Sequence, residues 1–153
     1  MNLSINDFQA RRNWPNLKPE NFTRTSPDTI DYNCAAWAAG DTERWWWPAP
    51  DDPEAYWPDA VAKTSTLDAF EAAYATLGYE KCEASELEPG FERVAVYAPN
   101  GKPLHVARQL PSGHWTSKLG NLEDIEHSSL EDLEGPFYGY PELFLRKVRP
   151  SPL

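Results

Sequence analysis

Cys34 opens the alanine-rich run "CAAWAA", after "DYN" and ahead of Gly40. Asp31 or Asn33 can cap a helix that starts there, the alanines propagate it, and the glycine stops it. A thiol at a helix start meets unpaired backbone N–H groups and the positive end of the dipole, which favour the thiolate and can hold an oxyanion beside it. That is the chemistry of a cysteine nucleophile. The competing reading is a small core residue, because free cysteine is among the most buried residue types.

A nucleophile needs a rigidly held base, and among the three histidines His105 is the best placed. "LHVARQL" reads as a strand in which His105 shares a face with Ala107 and Gln109; its alternative is a hydrogen-bonded core histidine. His114 falls at the "PSGH" turn and His127 in the acidic stretch "LEDIEHSSLEDLEG", where imidazoles are commonly solvated.

The elements that must position these groups follow from pattern. Residues 1–27 carry Pro15, Pro19 and Pro27 without a sustained period and read as an arm, leaving 28–150 as one domain. "ERWWWPAPDDPEAYWP" alternates prolines, tryptophans and acids, which predicts an ordered loop pinned by aromatic rings. A helix follows, with Ser65 and Asp68 as a capping-box variant, Leu67, Phe70, Tyr74 and Leu77 on one face, and Gly78 as its stop. From Phe91 the period becomes two: "FERVAVYA", "LHVARQL" and "HWTSKLG", separated by "PNGK" and "PSG" turns, predict a three-stranded antiparallel meander. "LFLRKVRP" adds an edge strand. Cys82 reads as a buried thiol, and Arg108, opposite His105, as an ion-pair partner.

Composition bounds the function. Apolar residues at 41% and aromatics at 13% suffice for a packed core. A net charge of -10, with scattered basic residues, disfavours nucleic acid. No apolar window of membrane length and no signal-peptide core is evident, which predicts a cytoplasmic protein, or one exported without a cleaved signal. Two cysteines and three histidines favour reduced thiols over a bridge or a zinc site, so neither metal nor cofactor is expected.

A cysteine on an early helix followed by a histidine on opening antiparallel strands resembles the papain-like cysteine hydrolases, especially NlpC-type and CHAP-type domains. "YNCAAWA" stands where those domains carry their cysteine, and "HVARQLPSGHWTS" resembles their histidine strand, turn and return strand. The set "YNC..WA.G", "YWP", "GY..C", "HVARQL..G.WTSKLG" and "LEG..YG" is also similar to an uncharacterised bacterial family with that fold. The resemblance implies an α+β papain-like domain, its N-terminal cysteine-bearing helix packed on the meander. It implies a third, ring-orienting residue on the return strand: Ser117 after a three-residue loop, Thr116 after a two-residue one. It further implies an upstream oxyanion donor, Tyr32 or Asn33. Trp37, one turn after Cys34, is expected to pack the helix on the sheet rather than to bind substrate.

The function expected from this reading is hydrolysis or acyl transfer on a peptide, amide or thioester substrate by Cys34 and His105. Two rivals stand beside it. One is an inactive, antitoxin-like interaction domain that meets a protein partner through its acidic surface. The other is a carbohydrate-binding module built on Trp45, Trp46, Trp47 and Trp57. Neither nucleic acid nor membrane is expected as a partner.

Overall fold

The computed structural model describes residues 12–83, 85–119 and 123–149. Its framework is a seven-stranded sheet in the order β1-β8-β7-β6-β5-β9-β4. The strands are β1 (Phe22–Arg24), β4 (Glu80–Cys82), β5 (Phe91–Tyr97), β6 (His105–Gln109), β7 (Trp115–Lys118), β8 (Asp124–His127) and β9 (Pro141–Val148). Every neighbouring pair is antiparallel. The short strands β2 (Trp45–Trp46) and β3 (Ala55–Tyr56) form a separate parallel ribbon inside the tryptophan-rich loop. The helices α1 (Cys34–Ala39) and α2 (Leu67–Ala75) have six and nine residues.

This architecture corrects the expected fold class. The chain is β-rich rather than an α+β papain-like domain led by an N-terminal helix, because the sheet extends well past the meander at both ends. β8 and β1 continue it beyond β7, and β9 and β4 continue it beyond β5. The segment "LFLRKV" lies inside the sheet, between β5 and β4, and not at its edge. Of the expected arm, residues 1–11 lie outside the described residues, while Trp14 and Leu17 are core residues and β1 pairs with β8.

Alternation along the strands divides the core into two layers. Val94, Val96, Val106, Leu143 and Leu145 face α1, α2 and the tryptophan loop. Ala95, Tyr97, Ala107, Trp115 and Ile125 face Trp14, Leu17, Leu130, Leu133 and Tyr138. Trp46 and Trp57 are buried, the first packed at tilted angles on Tyr56 and Tyr74 and the second on Phe70, so they pin the proline-rich loop as rings can and prolines alone cannot.

The helices are closed by local chemistry. Asn33 caps α1 by accepting the Ala36 N–H at 3.1 Å. Gly40, at φ 85°, ends it with a Schellman pair: its own N–H donates to the Trp37 carbonyl at 3.0 Å and that of Asp41 to Ala36 at 2.8 Å. In α2 the cap is Thr66 rather than Ser65, its hydroxyl accepting the Ala69 N–H at 3.1 Å. Phe70 and Tyr74 are the buried face, and the Tyr74 hydroxyl ties the two helices together by donating to the Ala35 carbonyl at 2.6 Å.

Candidate active site around Cys34 and His105

α1 is laid against β6 and β7. The β6–β7 ladder pairs only Arg108 with Thr116 and Gln109 with Trp115, so the strands part toward His105 and Lys118. Cys34 sits at that parting, buried, with the backbone amides of Val106, Ala35 and Cys34 itself facing its sulfur. Burial raises the thiol pKa to about 11, and those three amides and the charge of Lys118 oppose the rise without cancelling it. In a helix of only six residues the dipole and its amides do not outweigh burial, so the resting sulfur is a neutral thiol.

His105 shares its side of β6 with Ala107, on the layer opposite the helices. It is fully buried and stacked on Tyr138 at 4.2 Å between ring centroids and 8° between planes. Burial, with the nearby His127 second, holds its pKa well below the usual imidazole value. Its Nε2 is 2.9 Å from Ser117 Oγ, and the same oxygen is 2.8 Å from His127 Nε2. His127 Nδ1 is in turn 2.9 Å from the Ser129 carbonyl. His105 Nδ1 is buried and has no hydrogen-bond partner.

One group at the end of this chain fixes the direction of every proton in it. A carbonyl only accepts, so His127 Nδ1 carries the hydrogen. Burial keeps His127 neutral, which leaves its Nε2 as an acceptor for the Ser117 hydroxyl. Ser117 Oγ then accepts from His105 Nε2–H, and the bare lone pair of a neutral His105 is on Nδ1. The chain holds the imidazole in the tautomer that a general base requires.

The remaining sequence candidates are bound into the scaffold. Asn33 Oδ1 accepts from both Ala36 and Trp46, and its Nδ2 donates to the Trp46 carbonyl at 2.9 Å. The Tyr32 hydroxyl donates to Asp124 Oδ2 at 2.7 Å, and its ring stacks on Trp37 at 5.4 Å. Trp37 Nε1 donates to Thr116 Oγ1 at 2.9 Å, and Thr116 passes a hydrogen bond on to the Ile125 carbonyl. Thr116 therefore serves the helix layer, while Ser117 meets His105. The hairpin turn encloses three residues, 111–113, with Leu110 N–H closing on the His114 carbonyl at 2.7 Å, but Gln109 pairs with Trp115 rather than with Ser117, so the register is shifted by two. A shift of two residues preserves the face, which is why Ser117 still reaches the His105 side.

Two contributors escaped the sequence reading. His127 is a fully buried member of β8 and not a solvated loop residue. The signal was its two-residue spacing from Ile125, masked by the surrounding acids. Tyr138 belongs to the "LEG..YG" motif, to which no site role was assigned. Its position depends on Gly139, at φ 71°, where a Cβ would come within 2.8 Å of the Pro99 ring.

A cleft of about 620 Å³ opens over Cys34 and Asn33, with Ile30, Trp45, Trp47 and Leu104 as apolar walls and Asp52 and Glu54 at its acidic side. Among the described residues no cluster of histidine, cysteine or carboxylate side chains is arranged to hold a metal ion. None of the described helices is long and apolar enough to cross a membrane. No curated protein and no solved structure matches the chain. Residues 23–146, most of the sequence, match the model of a family described as a domain of unknown function, DUF7689, and the chain belongs to that family.

Proposed function

We propose that this protein is a cysteine hydrolase or acyltransferase in which Cys34 is the nucleophile, His105 the base and Ser117 a positioning residue. The observation that carries the reading is the Ser129–His127–Ser117–His105 chain, which leaves the unpartnered nitrogen of a buried imidazole as a lone pair, on the residue next in sequence to Val106, whose amide meets the Cys34 sulfur. A core histidine with no further task would have both nitrogens satisfied.

In the reaction His105 Nδ1 takes the Sγ proton and the sulfur attacks the acyl carbon. A C–S bond forms as the bond to the leaving group breaks, and the leaving group departs with the proton from Nδ1. Water or an acceptor nucleophile, deprotonated by the same nitrogen, then cleaves the thioester and restores the thiol. The oxyanion is met by backbone N–H at the head of α1 and by Asn33 Nδ2, whose second hydrogen is not used by the Trp46 carbonyl. The Tyr32 hydroxyl is already committed to Asp124. In the resting state sulfur and imidazole share no hydrogen bond, so the first step includes their approach across the β6–β7 parting. The apolar cleft, whose described lining residues include Asp52 and Glu54 and no basic side chain, favours an uncharged or cationic acyl donor.

The specific observation for a second reading, a binding domain without catalysis, is the same buried, protonated thiol, which meets backbone amides and no imidazole. Iodoacetamide labelling under native conditions, read by intact mass and peptide mapping, separates the two. Catalysis requires Cys34 to be labelled with a rate that falls in His105→Ala while Cys82 labels unchanged. A Cys34 rate that ignores His105 supports the binding domain.

A further inference from the structure

A second cleft, of about 460 Å³, lies at the far end of β6, away from Cys34. Its floor carries Gln109, only 2% exposed, whose Nε2 donates to the Ser85 carbonyl at 3.1 Å while Oε1 has no hydrogen-bond partner. A buried amide oxygen without a donor costs about as much as a lost hydrogen bond, and natural proteins leave few such groups. Leu87, Trp115, Tyr140 and Phe144 supply an apolar part of an otherwise polar lining, and Leu87 and Tyr140 are exposed. Three carboxylates, Glu86, Glu131 and Glu134, also line it. Among the described residues the Glu134 carboxylate has neither ion pair nor hydrogen bond, and burial followed by the neighbouring charge of Glu131 pushes its pKa up. An acceptor without a donor, carboxylates without a cation and an apolar side to the cleft call for one complementary chemistry.

We propose that this cleft binds an organic cation carrying N–H donors on an apolar stem, an alkylguanidinium or alkylammonium group, with Gln109 Oε1 accepting from it, Glu131 and Glu134 balancing its charge, and Trp115 and Phe144 packing its methylenes. Anionic ligands are repelled by the carboxylates, and uncharged apolar ligands leave Gln109 unanswered. Because the site shares no side chain with the Cys34 cleft, it stands whether or not Cys34 is catalytic.

The test is calorimetric titration of the full chain with agmatine, with the tripeptide Gly-Arg-Gly and with 1-pentanol as the uncharged control. The cations saturate and pentanol does not. Agmatine alone binding identifies a site for free amines, and equal binding of the tripeptide identifies one for arginine side chains. Loss of a hydrogen bond to a charged donor corresponds to about 10-fold or more in Kd, expected for Gln109→Leu. Glu134→Gln, on a partly exposed residue that tolerates replacement, weakens agmatine several-fold and guards against a folding defect in the first variant. Cys34→Ala leaves binding unchanged. No saturation by about 10 mM of either cation, weaker than any specific site of this size, overturns the proposal, as does a Kd that is the same in wild type, Gln109→Leu and Glu134→Gln.

Discussion

Replacing Ser117 by alanine removes the oxygen on which both buried histidines depend. In the wild type Ser117 Oγ lies 2.9 Å from His105 Nε2 and 2.8 Å from His127 Nε2, and all three residues are fully buried. The variant strands two imidazole nitrogens, each costing about 1–3 kcal/mol when buried without a partner. The space vacated by one hydroxyl is smaller than a water molecule needs, so solvent does not repair the loss. The expected destabilisation is about 2–6 kcal/mol, read by urea unfolding at neutral pH with the m-value unchanged. The variant also frees the His105 tautomer. Long-range ¹H–¹⁵N correlation of the imidazoles reports Nε2–H with bare Nδ1 in the wild type and a mixture in Ser117→Ala. A loss below about 0.5 kcal/mol, within the range of an ordinary surface change, or a wild-type His105 protonated at Nδ1, refutes the proton order assigned to the chain.

Two further outcomes follow from the same geometry. In Gly139→Ala the new Cβ meets the rigid Pro99 ring at 2.8 Å in a left-handed backbone, so Tyr138 is displaced from His105. The variant loses about 1–3 kcal/mol by thermal unfolding, together with the ring-current shift of the His105 protons. Stability also falls with acid. His105 and His127 both have folded-state pKa values below the ordinary imidazole value, chiefly through burial, so the unfolded chain takes up protons first. Their contribution is present above an unfolded pKa of about 6.5 and is lost at up to ~1.4 kcal/mol per pH unit per histidine below it. Urea midpoints between pH 7 and 5 show this slope, and His127→Gln reduces it. A flat profile contradicts the burial of neutral histidines.

Much of the local structure was legible because it is written in short-range pattern. Asn33, the alanines and Gly40 define α1. Phe70 and Tyr74 at helical spacing define the buried face of α2. Two-residue alternation between turn signals defines β5, β6 and β7. The fold class was not legible, because β1, β4 and β8 are three or four residues long and exist only through pairing with distant partners. A three-residue strand has no period to detect. The candidate site divides the same way. Cys34 and His105 could be named from local pattern and Ser117 from the resemblance, its face surviving a register shift of two residues because strand parity repeats every two residues. His127 could not, since its role depends on the β7–β8 register that sets it opposite Trp115. The depressed thiol pKa expected at a helix start was reversed by burial, a property that depends on the whole fold.

The central claim is that Cys34 forms a covalent acyl intermediate with a proton taken by His105. Its most direct test is exposure of the native protein to p-nitrophenyl butyrate, with acid quench, intact mass and peptide mapping. The account predicts a butyryl adduct on Cys34, absent in Cys34→Ala and formed about 100-fold more slowly or worse in His105→Ala, as expected for loss of a general base, with Cys82 unaffected. An unmodified Cys34 under conditions that acylate Cys82, or a Cys34 adduct formed equally fast without His105, contradicts it.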